Sequence, residues 1–324
     1  MAAGGISTVG GSVWRDEQPR CSWRAAPKGG RRALAGALGR CWGVTVPREL
    51  AGKVAVVTGA GSGLGAALAR LFGGHGMAIA ALDIDDHAAA RTAEAIGAEL
   101  AVPTTSVHCD VGDTTSVVEA ARHVEVTLGG CDVLCANVGV QQFGAMDALT
   151  DQDWQWVLNV NVLGAVRTVR AFLPLLRAAT GFRRIVLTSS SSVLSPGVRI
   201  GAYQVSKFAV MGIGETLREE LADEGIGVTV MFPGGMITRH LESSVAARPQ
   251  DLGPTSVDPD DLTTMLAHRP MEEGDVVAPE HAIRNLLRDL EDDAPYSVTH
   301  GSFRKWYTQR RDAMDAALDR MERS

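Results

Sequence analysis

The segment Thr58-Gly-Ala-Gly-Ser-Gly-Leu-Gly65 constrains this chain more than any other. It follows a short β-branched run, Lys53-Val-Ala-Val-Val-Thr58, and opens a helical stretch that ends at Gly74. Met77 to Leu82 is a second apolar run, and it ends at Asp83. Continuous apolar runs of this length read as strands buried on both faces of a parallel sheet. The unit from Lys53 to Asp83 spans 31 residues, near the ~30 of a nucleotide-binding βαβ unit. Its glycines let the backbone turn tightly and approach a pyrophosphate, and the helix beyond offers free N–H groups to the anion. An acid at the tip of the second strand accepts hydrogen bonds from the adenosine ribose. Gly59, Gly63 and Gly65 fit G-x-x-x-G-x-G, whereas G-x-G-x-x-G would need a glycine where Leu64 stands. The expected cofactor contacts here are therefore Gly59, Ser62, Gly63, Leu64, Gly65 and Asp83. No Arg or Lys follows Asp83 within the next few residues, so the expected cofactor is NAD, with NADP the lesser alternative. Asp85 is the better helix N-cap of the two acids.

The alternation continues. Thr104 to Cys109 reads as a third strand ending at Asp110-Val111, and Asp113 opens a helix to about Leu128. Asp132 to Ala136 is a fourth strand running into Asn137-Val-Gly139, and one long helix is expected from Asp151 to Ala179. Arg184 to Thr188 is a fifth strand, followed by Ser189-Ser-Ser-Ser192. This pattern predicts an α/β fold, a doubly wound parallel sheet in a Rossmann-type three-layer sandwich, forming a single domain over residues 47–324. Ligands then bind at the carboxyl ends of the strands, where Gly59, Asp83, Asp110, Asn137 and Ser190 fall. Residues 239–274, a long Pro-interrupted loop, are expected to form a lid over the substrate. A helix over 275–289, a last strand at 296–299 and a terminal helix over 303–321 complete the expectation.

Composition removes other classes. The longest stretch free of charged residues, Val54 to Ala69, has 16 residues, short of the ~20 that span a bilayer. A net charge of −7 argues against a general nucleic-acid binder. The odd count of 5 Cys suits a reducing cytoplasm, and Cys131 and Cys135 are expected to be small core residues, not a bridge. The 8 His show no metal-ligating spacing, so no metal is expected, and a solvated surface is their expected role. Residues 1–46 carry seven basic and two acidic residues and many Gly. They are expected to be disordered, or an over-extended start, with the natural chain beginning at Val44 or Val46.

The strongest chemical signal is Tyr203-Gln-Val-Ser-Lys207. Positions i and i+4 share one helix face. An alcohol gives a hydride to nicotinamide only if its hydroxyl proton also leaves. A free phenol, with a pKa of about 10, is a poor base at neutral pH. An ammonium nearby favours the phenolate, so Lys207 is expected to lower the Tyr203 pKa and also to hold the nicotinamide ribose. Ser190, 13 residues before Tyr203 at a strand end, is placed to bond the substrate oxygen.

Together, Thr58–Gly65, Asp83, Asp110, Asn137–Gly139, Asn161, Ser190, Tyr203, Lys207 and Pro233-Gly234…Thr238 resemble the short-chain dehydrogenase/reductase family, over nearly all of the chain from Leu50. The resemblance implies that Asn161 completes a tetrad with Ser190, Tyr203 and Lys207, holding a helix carbonyl and a water that relays the proton. It implies that Asp110 and Val111 contact adenine and that Thr238 contacts the nicotinamide side of the cofactor. Ala136-Asn-Val-Gly139 departs from the family's Asn-Asn-Ala-Gly, with Asn137 keeping the second position. The expected function is hydride transfer between NAD(H) and a secondary alcohol or ketone, in a cytoplasmic homotetramer or homodimer paired through the apolar faces of Asp151–Ala179 and Gly201–Glu224. Two other readings stand beside it. One is a nicotinamide-sensing protein without turnover. The other is an epimerase or dehydratase of the longer relatives, whose G-x-x-G-x-x-G turn Ser62 breaks.

Overall fold

The computed structural model describes residues 50–253, 258–270 and 272–323. The expectations for 1–46 lie outside the described residues. Among the described residues nine strands follow in chain order: β1 (Val54–Thr58), β2 (Ala78–Asp83), β3 (Thr104–His108), β4 (Val133–Ala136), β5 (Arg184–Thr188), β6 (Gly227–Phe232), β7 (Gly235–Met236), β8 (Val276–Val277) and β9 (Tyr296–Val298). Seven of them form one sheet in the order β3-β2-β1-β4-β5-β6-β9, every pair parallel, while β7 and β8 form a separate ribbon. The order reverses between β1 and β4, which opens a crevice at their carboxyl ends.

Alternate strand residues feed two cores. Val56, Leu82, Leu134 and Leu187 pack beneath α3 (Thr114–Leu128), α5 (Gly164–Ala178) and α6 (Gly201–Leu221). Val57, Ile79, Cys135 and Met231 pack on the opposite face beneath α1 (Gly63–Gly74) and α2 (Asp86–Leu100). Burial on both faces is why these strands read as unbroken apolar runs. Asp132 pins the two central strands, accepting from Lys53 Nζ and from the Val54 backbone N–H, each at 2.8 Å. Asp85 caps α2 by accepting from Ala88 N at 2.9 Å, and Asp113 caps α3 by accepting from Thr115 N at 2.9 Å.

Four expectations need correction. The helix foreseen over 151–179 is α4 (Asp151–Leu158), one π turn over Asn159–Leu163, and α5. The extra residue of the π turn aims Asn161 inward. The lid is not a loop; α7 (His240–Ala246) and α8 (Pro259–His268) occupy much of it, the latter started by the Asp258 cap and Pro259 at its first turn. Residues 275–289 are not one helix. Val276 and Val277 pair with Gly235 and Met236, and two short helices follow, α9 (Pro279–Ala282) and α10 (Leu286–Glu291). The strand β6 stands outside the expected strands, although Val228-Thr-Val-Met-Phe232 is a β-branched run of the same kind as β1. The terminal helix is α11 (Arg304–Glu322).

The segment that carries α7 is tied to the rest of the fold by a buried ion pair. Arg248 Nη2 lies 2.7 Å from Asp153 Oδ1, and the Arg248 guanidinium stacks on Trp156 at 5.4 Å. Burial pushes the Asp153 carboxyl up, but bonds from Thr150 and Arg248 outweigh it and hold the pKa below its ordinary value. Among the described residues, no helix is long and apolar enough to cross a membrane.

Candidate active site

The glycine loop leaves β1 and turns over the tip of β2. Ala60 N donates to Leu82 O at 3.0 Å, and Gly61 N donates to Asp83 Oδ2 at 2.8 Å. The other carboxylate oxygen of Asp83 accepts from Asp85 N at 3.0 Å. Asp83 therefore shapes the loop as well as presenting a carboxylate to the crevice. A Cβ at Gly65 would lie 1.9 Å from Gly59 O, so only glycine lets helix α1 start this close to the loop. Thr238 packs beside Gly63, 3.2 Å from where a Cβ would stand.

The start of α1 differs from those of its neighbours. Ser62 makes no side-chain cap, and no acid sits in the first turn. In α2 and α3 an aspartate fills that role. The leading N–H groups of a 12-residue helix are thus left to an anion, which fits the pyrophosphate of a dinucleotide. Asp110 accepts from Gly112 N at 2.7 Å, and buried Val111 lies beside it on the same wall.

Asn137 bridges three strand ends. Its backbone N–H donates to Thr58 Oγ1 at 3.0 Å, its Nδ2 donates to Thr58 O at 3.1 Å, and its Oδ1 accepts from Thr188 Oγ1 at 3.1 Å. The side chain is a strut of the floor, with its amide already shared between β1 and β5. Asn161, 1% exposed, clasps the next turn of chain: Nδ2 donates to Val140 O and Ser206 Oγ, both at 2.9 Å, and Oδ1 accepts from Val140 N at 2.7 Å. Ser206 Oγ in turn donates to Tyr203 O at 2.6 Å, so Asn161 fixes the helix that carries Tyr203. Its rival Asn159 is bound to Arg167, whose Nη2 donates to Oδ1 at 2.8 Å, and is spent on structure.

Tyr203, Lys207 and Ser190 converge. The Tyr203 hydroxyl hydrogen-bonds Ser190, whose Oγ also accepts from Ser192 N at 3.1 Å. Lys207, 2% exposed, donates from Nζ to Thr188 O at 2.9 Å, and Nζ stands 5.5 Å from the centre of the Tyr203 ring. A Cβ at Gly139 would meet Nζ at 2.9 Å, which is why the residue after Val138 has no side chain. Burial depresses the Lys207 pKa to about 8. The Tyr203 phenol moves against expectation. Burial pushes its pKa up, and the hydrogen bond to Ser190 only partly opposes this.

Asp83, Asp110, Asn137, Ser190, Tyr203 and Lys207 line one cleft of about 1070 Å³ that runs from the glycine loop to the 239–274 segment, whereas Asn161 is not among its lining residues. Ile200, Met265, Arg269, Phe303 and Trp306 wall its far end. The sequence reading missed two residues there. Arg269 stacks on Trp306 at 3.8 Å and bonds Ser195 through Nη1. His240 was assigned to the surface with the other histidines, but its ring packs 6.1 Å from the Tyr203 ring, and burial holds its pKa at about 4. The available signal was its place two residues past Thr238, in the segment that must cross the crevice. Among the described residues no cluster of three His, Cys, Asp or Glu is arranged to hold a metal.

The family model described as short chain dehydrogenase matches residues 53–249. Momilactone A synthase of Oryza sativa is 36% identical over 197 residues, covering 59% of this chain and 69% of that one. Oxidoreductase UcpA of Salmonella typhimurium is 32% identical over 242 residues, covering 71% of this chain and 88% of that one. Among solved structures, a short chain dehydrogenase/reductase from Burkholderia phymatum in complex with NAD is 27% identical, with a TM-score of 0.75 over 84% of this chain and 97% of that one. An alcohol dehydrogenase from Thermococcus sibiricus complexed with 5-hydroxy-NADP is 25% identical, with a TM-score of 0.62 over 78% of this chain and 97% of that one. With the matched segment running from the first strand of the βαβ unit past α7, this chain belongs to the short-chain dehydrogenase/reductase family.

Proposed function

We propose that the protein moves a hydride between NAD(H) and a secondary alcohol or ketone, with Tyr203 as the proton acceptor and donor. Family membership makes it an oxidoreductase acting on CH–OH groups. The observation that carries the assignment of roles is the convergence of Tyr203, Ser190 and Lys207 at one end of the cleft whose other end is the uncapped helix α1.

Nicotinamide, when bound, supplies the acceptor for the hydride that leaves the carbinol carbon. The chain's own residues do the rest. Ser190 Oγ holds the substrate oxygen, and Tyr203 takes the hydroxyl proton as the C–H bond breaks and the carbonyl forms. Lys207 holds a positive charge near the phenol, which favours the phenolate over the value burial alone sets. Asn161 keeps α6 and the 139–141 segment in register, and thereby Tyr203 in place. Gly59, Ser62, Gly63, Leu64 and Gly65 receive the pyrophosphate, Asp110 and Val111 the adenine side, and Thr238 the nicotinamide side. Residues 239–274 close over the substrate.

Asp83 directs the choice of cofactor toward NAD. A 2′-phosphate would stand against its carboxylate, which is held in place by two backbone N–H groups. The chain pairs with a second copy, as dimer or tetramer. Leu163, Val205 and Phe208 in this region are 49%, 43% and 37% exposed, and many of the other apolar residues there, Val162, Val166, Met211 and Ile213 among them, are only partly buried within the chain. Light scattering at micromolar concentration tests this, and a monomer mass with full activity refutes it. Cys109, Cys131 and Cys135 are free and buried, which supports a reducing cytoplasmic setting.

The test of the function is a panel of secondary alcohols and ketones, followed at the nicotinamide absorbance with NAD and with NADP. Turnover with NAD that is lost in Tyr203→Phe supports the reading. Turnover that persists in Tyr203→Phe overturns it.

A further inference from the structure

Five buried side-chain polar atoms among the described residues have no hydrogen-bond partner beyond ion pairing, and one of the five, Asp153 Oδ1, is held in the ion pair with Arg248. Three of the five, Ser192 Oγ, His240 Nε2 and Arg269 Nε, belong to residues that line the cleft. Buried polar groups are paired as a rule, so this concentration marks where the polar atoms of a ligand complete the set. Of the three, His240 stands out, because its ring packs against that of Tyr203.

Its position is built. Helix α7 is fastened by Ser244, whose Oγ donates to His240 O at 2.8 Å and accepts from Gln141 N at 3.0 Å. The ring is tilted by 58° to that of Tyr203, with centroids 6.1 Å apart. Burial and the neighbouring Lys207 charge keep the imidazole neutral at physiological pH. A neutral ring nitrogen either donates or accepts, according to tautomer. A hydroxyl satisfies it in either case, which a charged group or a bare methyl does not.

We propose that His240 Nε2 reads a second oxygen on the substrate, carried by the carbon next to the one that is oxidised. The substrate class is then vicinal diols and the matching α-hydroxy ketones on an apolar frame. The two rings pack against each other with centroids 6.1 Å apart, so the proposal assigns their two partners to oxygens on adjacent carbons, each held by a hydrogen bond of about 2.8 Å. Met265, Leu266, Phe303 and Trp306 form the apolar wall for the frame. The proposal rests on the role given to Tyr203 above.

The test compares styrene glycol with phenyl ethyl carbinol, in which a methyl group replaces the primary hydroxyl. The expected wild-type ratio of kcat/KM, glycol over carbinol, is about tenfold or more, the size of one well-placed hydrogen bond. In His240→Phe, which keeps a ring against Tyr203, the ratio falls to near one. His240→Gln, which returns an amide near the Nε2 position, restores part of it. Affinity for NAD, read from tryptophan fluorescence, stays within a factor of two in both variants. A wild-type ratio near one overturns the proposal, as does a ratio that survives His240→Phe. Loss of NAD affinity with the ratio intact assigns His240 to the cofactor and also overturns it. If neither alcohol is turned over while another member of the alcohol and ketone panel is, in a Tyr203-dependent way, the proposal alone is overturned; if no member of the panel is, the functional reading has failed and the proposal falls with it.

Discussion

Replacing Lys207 by Met should make the protein more stable at neutral pH while abolishing its activity. The ammonium is 2% exposed, and burial brings its pKa from 10.5 to about 8. At 1.36 kcal/mol per pH unit, that gap corresponds to roughly 3 kcal/mol of penalty for keeping the charge inside the fold. The variant gives up the bond from Nζ to Thr188 O, a loss of about 1 kcal/mol. The net expectation is a gain of about 2 kcal/mol at pH 7. The pH dependence carries a definite sign. The unfolded chain holds the lysine proton up to 10.5, the folded chain only up to about 8. Between those values the unfolded state binds more protons, so this residue makes wild-type stability climb with pH. The buried thiols of Cys109, Cys131 and Cys135 are pushed up by burial and pull the other way, but they are common to both proteins. The difference between variant and wild type should therefore be constant below pH 8 and shrink as pH rises toward 10. Urea melts at pH 7, 8, 9 and 10 read it directly. A variant no more stable than wild type at pH 7, or a difference that does not shrink, would refute the view that Lys207 is a charge buried for function at a cost in stability.

Three further outcomes follow from the site. Tyr203→Phe should lose about 10²–10⁴-fold in kcat, the usual contribution of general acid–base transfer, while NAD affinity by fluorescence titration stays near wild type. Asp83→Ala should narrow the preference for NAD over NADP, read as the ratio of the two kcat/KM values, and a wild type that prefers NADP contradicts the role given to Asp83. Arg248→Met leaves the Asp153 carboxylate buried without its partner, at a cost of about 3–5 kcal/mol; the melting temperature should drop, and proteolysis should cut first within 239–274.

Much of this site was legible because its chemistry is local. The glycine loop, Asp83, Asp110 and the Tyr203/Lys207 pair each lie at a strand end or on one helix face, where spacing alone reports position. Counting back from Tyr203 selects Ser190 among four serines, and Ser190 is the one whose side chain hydrogen-bonds Tyr203. What escaped was set by tertiary contact. The π turn around Asn161 leaves no mark on hydrophobic period, because it inserts one residue into an otherwise continuous helix. The role of Asn137 as a strut depends on Thr58 and Thr188, which are distant in sequence. The sign of the Tyr203 shift depends on how completely the chain encloses the phenol, which no motif states. His240 and Arg269 sit in the segment where period and spacing were weakest, and only the packing of the lid brings them to the cleft.

The central claim is a hydride passed directly from a carbinol carbon under the control of Tyr203. Styrene glycol and phenyl ethyl carbinol bearing deuterium on the carbinol carbon test it most directly, with NAD as acceptor and mass spectrometry of the reduced nicotinamide. The account predicts one deuterium atom per reduced nicotinamide in the wild type, a slowed rate with the labelled alcohol under single-turnover conditions, and no labelled product with Tyr203→Phe. Reduced nicotinamide without deuterium, or label transfer that continues in Tyr203→Phe, would contradict it.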